Sequence, residues 1–123
     1  MTETQTDPQS ALDPVIVTGL LKGGWRDMAF APFRPGIEIC TIHAGPPHVA
    51  LLRYAPGAGA PRHRHAGLET ILVLDGSQSD ENGLYQTGSL VLNPEGSIHS
   101  VRSDEGCVVL IQWTRPVEFL EGE

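Results

Sequence analysis

Glycine occurs 14 times and proline 10 times in these 123 residues, so the chain is interrupted too often for a substantial helix. Between the interruptions lie short segments rich in Val, Ile, Leu, Thr and Tyr, which reads as strands divided by turns. The predicted strands are Val15 to Thr18, Gly36 to His43, Val49 to Tyr54, Glu69 to Asp75, Gly76 to Ser79, Leu84 to Gln86, Ser89 to Leu92, Ile98 to Arg102 and Cys107 to Thr114. Strands recurring at that interval specify an all-β domain of the sandwich or barrel kind.

The length suits one domain. Residues 1–14 are dominated by Thr, Gln, Asp, Pro and Ser and read as a flexible polar tail, with the folded domain spanning 15–123. A net charge of −7, with eight Lys and Arg against 15 Asp and Glu, argues against a nucleic-acid partner, because phosphates call for clustered cations. The same balance argues against an anionic membrane surface. Apolar runs are far shorter than the roughly 20 residues of a membrane-spanning helix, and the N-terminus lacks the pattern of a signal peptide. Cys40 and Cys107 then read as reduced structural thiols in a cytoplasmic protein.

Thr70 to Leu74 and Cys107 to Ile111 are apolar at odd and even positions alike. A strand wetted on one face would alternate, so both faces of these strands are expected to be covered. The barrel interior covers one face. A second layer or a second subunit must cover the other, and a homodimer is the economical expectation.

His63 and His65 are two residues apart, and positions i and i+2 of a strand share a face. Glu69 follows four residues later, after a turn through Ala66 and Gly67, and His99 follows the Pro94-Glu95-Gly96-Ser97 turn. A histidine taken singly is more often a core or surface residue than a ligand. Three imidazoles and one carboxylate at these intervals form a set suited to a divalent first-row metal, with one or two coordination positions left open for a five- or six-coordinate ion.

These residues also carry a resemblance. Gly57, His63, His65, Glu69 and Gly76 stand at the intervals of the first cupin motif (57–76), and Gly88, Pro94, Gly96 and His99 at those of the second (88–103), with Ser103 where many cupins have Asn. The pattern between and after the motifs, notably Asp80-Glu81-Asn82-Gly83-Leu84-Tyr85 and Ser103-Asp104-Glu105-Gly106-Cys107, is similar to that of ChrR-like cupins, a subgroup whose relatives include acetylacetone-cleaving dioxygenases. The resemblance implies a single-domain double-stranded β-helix, or jelly-roll barrel, with the metal site inside it. It implies His63, His65, Glu69 and His99 as ligands for iron, zinc, manganese or nickel, with iron and zinc foremost. The anti-sigma members pair the cupin with a helical zinc module that does not match residues 1–53, and the acetylacetone-cleaving relatives bind iron through histidines alone, whereas Glu69 is present here.

The strand after Glu69 should turn Ile71 and Val73 to the same side as Glu69, and Leu72 and Leu74 away. Either Gln112 or Trp113 faces inward, and Trp113 is expected to serve the core. His43 and His48 read as loop or strand-end residues, and Arg53 as an exposed ion-pairing residue in preference to a pocket one. Trp25, Phe30 and Phe33 are expected to seal a barrel end or a subunit contact, Cys107 to be a core thiol, and the acids of Asp80-Glu81-Asn82-Gly83 to be solvated in a turn. No separate catalytic residue stands out. Two functions remain open: a metal-dependent dioxygenase-type enzyme acting on a small carbonyl or enolisable compound, and a ChrR-like regulatory or sensing module holding zinc without turnover.

Overall fold

The computed structural model describes residues 12–120. Of the expected tail only 12–14 fall within that range, and these are exposed; residues 1–11 lie outside the described residues. The described chain makes two short 3-10 turns, Leu20–Lys22 and Gly24–Asp27, and then ten strands: β1 (Ala31–Arg34), β2 (Ile37–Ala44), β3 (His48–Tyr54), β4 (Gly59–Arg64), β5 (Glu69–Asp80), β6 (Gly83–Gln86), β7 (Leu90–Asn93), β8 (Ile98–Arg102), β9 (Cys107–Trp113) and β10 (Glu118–Phe119). Every pairing is antiparallel, in the order β1-β2-β3-β9-β5-β8-β4-β10, with β6 and β7 also on β5. The result is the expected jelly roll.

The long strand β5 belongs to both sheets. Its first half pairs with β9 and β7, and its second half with β6 and β8. The change of sheet falls at a register shift between Val73 and Asp75, followed by Gly76 at φ 79°. A Cβ at Gly76 would collide with the Gly106 carbonyl oxygen, so the bend excludes any larger residue. Two strands predicted on either side of Gly76 are therefore one bent strand.

Register explains the core. Tyr54, Leu52 and Ala50 of β3 oppose Cys107, Val109 and Ile111 of β9, and Val73 and Ile71 of β5 oppose Val109 and Ile111 from the other side. These side chains fill the interior as one cluster with Ile37. Leu51, Leu74 and Val108 point outward and pack with Trp25, with Leu20, Met28 and Phe30 against them. The parity expected for Ile71, Val73, Leu72 and Leu74 holds. The outer cover that both-faced apolar runs require is supplied here by the chain's own N-terminal segment, so covering Leu51, Leu74 and Val108 needs no second subunit. Cys40 and Cys107 are both free thiols, and Cys107 is buried.

Val15 to Thr18 is not a strand. Val15 and Ile16 are 67% and 75% exposed, and the chain leaves the segment through left-handed Gly19 into the first 3-10 turn. Residues of high strand propensity stay unpaired where no partner edge is offered. Conversely, β1 and β10 were not predicted, and β4 was implied only by the spacing of His63 and His65, the second of which lies just past its end. Pro32 and Pro61 sit at register shifts of β1 and β4, which is where a sheet tolerates proline.

Candidate metal centre

The three histidines meet through strand pairing. His63 on β4 lies opposite His99 on β8. His65 follows the end of β4, where its N–H donates to the Ser97 carbonyl at 2.9 Å while Gly96 N–H donates back to the His65 carbonyl at 2.8 Å. The turn between Pro94 and Ser97 needs Gly96 at φ 92°, so the glycine of the second motif positions a ligand of the first. The rings stand edge to face, with centroids 5.1 Å apart for His63 and His65 and 4.7 Å for each of the other two pairs. All three are buried, and their ligand atoms lie within 4.8 Å of one another.

Their tautomers follow from what each Nδ1 touches. His63 Nδ1 donates to the Pro61 carbonyl at 2.7 Å, His65 Nδ1 to the Ser97 carbonyl at 3.0 Å, and His99 Nδ1 to the Asp80 carboxylate at 2.9 Å. A carbonyl or carboxylate only accepts, so each Nδ1 carries the proton and each Nε2 keeps its lone pair. The same lock orients imidazoles that bind metals. Three lone pairs gathered out of water can hold a metal ion.

Glu69 stands beside this group. The carboxylate is buried at the start of β5, and its Oε1 lies 3.1 Å from His65 Nε2 and accepts from Asn93 Nδ2 at 3.1 Å. Asn93 is its cross-strand neighbour on β7. With His65 Nδ1 donating to Ser97, the Nε2 lone pair and the carboxylate oxygen would be two acceptors in contact, a pair that requires a proton or a cation. Burial disfavours protonated His65, but the hydrogen bond and charge of Glu69 outweigh it and raise the pKa. His63 moves the other way, lowered by burial with a contribution from the neighbouring imidazoles. The donor set therefore fits a divalent first-row ion.

Asp80 corrects the expectation of a solvated turn. The turn exists, since Asp80 pairs with Gly83 to open the β5–β6 hairpin. Its side chain, however, is 2% exposed and engaged three times: Oδ2 accepts from His99, and Oδ1 from Tyr85 Oη at 2.6 Å and from Asn82 N–H at 2.8 Å. Burial alone would raise the Asp80 pKa, yet the hydrogen bonds from Tyr85, His99 and Asn82 lower it, so the charged form is held. Tyr85 is pushed up to about 12 by burial and by Asp80. Glu81 accepts from both Ser100 N–H and Ser100 Oγ.

A cavity of about 510 Å³ opens beside the cluster. His63, His99 and Glu69 line its polar floor, and Leu52, Ile71, Val101, Ile111, Trp113 and Val117 are among its apolar walls. Trp113 faces inward and Gln112 is exposed. His48, at the start of β3 as a strand-end residue, stacks on Trp113 with centroids 4.4 Å apart and reaches the cavity. Phe33 is a wall of the cavity instead of a seal, whereas Trp25 and Phe30 belong to the outer cluster. Arg53 pairs with Glu38 at 2.8 Å outside this cavity, as expected. Tyr54 also lines it, its hydroxyl beside Gln78, with its pKa raised chiefly by burial. Sequence reading gave Asp80 and Phe33 other roles and missed Arg34, on the unpredicted strand β1. Ser103 is fully buried and donates its hydroxyl to the Ser77 carbonyl, away from the imidazoles.

A two-sheet jelly roll with three motif histidines converging inside it defines a cupin. Residues 23–117 match the ChrR cupin-like domain, and the chain belongs to that family. It is 28% identical over 97 residues to the anti-sigma-E factor ChrR of Cereibacter sphaeroides, covering 76% of this chain and 46% of that protein. The chain thus spans about half the length of this relative. Among solved structures, an RmlC-like cupin from Ralstonia eutropha JMP134 aligns with TM-score 0.75 and 18% identity over 94% of this chain and 78% of that one. An acetylacetone dioxygenase from Acinetobacter johnsonii aligns with TM-score 0.70 and 18% identity over 76% and 72%. At these identities the structures speak for the shared fold. Among the described residues, no helix is long and apolar enough to cross a membrane.

Proposed function

We propose that this protein is a divalent-metal cupin enzyme in which His63, His65 and His99 hold the ion with Glu69 as the fourth ligand. The substrate is a small carbonyl or enolisable compound taken up in the adjoining cavity, and the chemistry is of the dioxygenase type. One observation carries the reading: the imidazole cluster opens onto a mostly apolar, partly open cavity of about 510 Å³, within the range of small-molecule sites. A purely structural zinc site is closed and has no use for such a space. Iron(II) bound there would supply Lewis acidity and redox contact with dioxygen. The chain's own groups do the rest. Pro61, Ser97 and Asp80 fix the imidazoles, Asn93 orients Glu69, and the apolar walls exclude water from the reacting molecule.

The likeness to an anti-sigma factor favours a second reading, a regulatory module that holds zinc without turnover and is read by a protein partner. Both readings carry a cytoplasmic location and a homodimer as further proposals, the latter to be checked by light scattering. Metal analysis of the purified protein, together with oxygen uptake in the presence of a 1,3-dicarbonyl, separates them. The enzyme reading expects iron or a similar ion and substrate-dependent oxygen consumption. Tightly held zinc without oxygen uptake supports the regulatory reading and sinks the enzyme. Unchanged metal content in both His63→Ala and His99→Ala would overturn the site itself.

A further inference from the structure

We propose that Arg34 is the anion-recognition residue of the cavity, and that the molecule taken up there is a small carboxylate with an apolar body. This deepens the proposed function and rests on its reading of the cavity as a ligand site.

Strands β1 and β10 are the two ends of the strand order, and side chains of both line the cavity. Arg34, the last residue of β1, lays its guanidinium 4.1 Å over the ring of Phe119 on β10. Phe119 pairs in register with His63, and their ring centroids are 5.6 Å apart. The cation and the first imidazole are therefore separated by no more than those two lengths laid end to end, the reach of a small organic acid. Both line the same cavity.

The cation is poorly satisfied by the protein. Arg34 Nε is buried with no hydrogen-bond partner, a rare condition for a group that forfeits its hydration on burial. Among the described residues no carboxylate forms an ion pair with Arg34. Arg53, Arg64 and Arg102, by contrast, are paired with Glu38, Glu118 and Asp104. Glu69, the acid of the cavity, is engaged by His65 and Asn93 instead. A guanidinium presents a planar fork that a carboxylate fills bidentately. A carboxylate seated beside the guanidinium would supply its missing counter-charge while the rest of the molecule lies against the apolar walls and reaches the imidazoles.

The test is calorimetric titration of the full-length protein, at measured metal content, with hexanoate, phenylacetate and 4-phenylbutyrate and with their neutral primary amides. At least one carboxylate is expected to bind about tenfold or more tighter than its amide. Arg34→Met should abolish that preference, and Arg34→Lys should restore only part of it, with metal content unchanged in both. Phe119→Leu, which removes the ring beneath the guanidinium but keeps the cation, should retain the preference. A merely structural seam would make Phe119→Leu behave like Arg34→Met. Equal binding of acid and amide, a preference that survives Arg34→Met, or no saturable carboxylate binding across the series overturns the proposal. Because acid and amide are compared on the same protein, failure to find a bound metal would count against the metal assignment while leaving the Arg34 comparison readable.

Discussion

Replacing Asp80 by Asn should weaken metal binding without touching a ligand. Asp80 Oδ1 accepts from Tyr85 Oη and from Asn82 N–H, and Oδ2 accepts from His99 Nδ1 at 2.9 Å. The backbone N–H of Asn82 can only donate, so the carbonyl oxygen of the introduced amide must take the Oδ1 position. The NH2 group then faces His99 and donates to Nδ1, which forces the ring into the tautomer protonated on Nε2. In that tautomer His99 has no lone pair for an ion. Restoring the binding tautomer sets two donors against each other and loses a charge-assisted bond, at a cost of about 1.5–3 kcal/mol. That corresponds to roughly a tenfold to hundredfold loss of affinity, the size generally seen when a partner of a ligating imidazole is removed. Competition of zinc(II) against a chromophoric chelator measures it directly. Tyr85→Phe leaves the Asp80–His99 bond in place and should fall well short of the Asn variant. Asp80→Asn affinity within about twofold of wild type, in folded protein, would refute the reasoning.

Gly76→Ala should destabilise the fold by about 3 kcal/mol or more, combining left-handed backbone strain with displacement of the Gly106 carbonyl, read as a drop in urea midpoint. Ser103→Ala should cost about 1 kcal/mol for its buried hydrogen bond to Ser77 and leave metal content at the wild-type level, since Ser103 lies outside the ligand set. Burial raises the Cys107 thiol to about 11. Raising a thiol pKa favours its neutral form, so at pH 8 roughly one molecule in a thousand carries the thiolate. Alkylation of Cys107 in folded protein should therefore be at least about a hundredfold slower than in denaturant, as followed by mass spectrometry; comparable rates would show that the thiol is not buried in solution.

The central strands were legible because their evidence is local. Ile71 and Val73 alternate with Leu72 and Leu74, and β5 and β9 are apolar on both parities because one face meets the interior and the other meets Trp25 and its neighbours. What covers the outer face was not legible. Trp25 and Phe30 lie in a stretch with no strand or helix period, and nothing in their spacing says that they fold back over Leu51. The edge strands failed for a related reason. β1 contains Pro32 and β10 has two residues, so each depends on the partner it meets and not on its own pattern. Val15 to Thr18 has the composition of a strand and lacks that partner.

The metal cluster divides along the same line. Two histidines at i and i+2 state a shared face in the sequence itself, and turn glycines at fixed distances bring the third within reach. The groups that decide what those imidazoles can do are not encoded locally. Asp80 stands eleven positions beyond Glu69, and the register shift before Gly76 breaks the parity that would have placed its side chain. Arg34 and Phe119 come from the two ends of the strand order and meet only in the folded barrel. Motif spacing thus reports where the nitrogens converge, because convergence depends on two strands and two turns. Only the His63 tautomer is set locally, by the Pro61 carbonyl two residues before it; the tautomers of His65 and His99, and the charge that faces the cavity, depend on contacts between segments 19 to 85 residues apart, which no pattern of a single segment records.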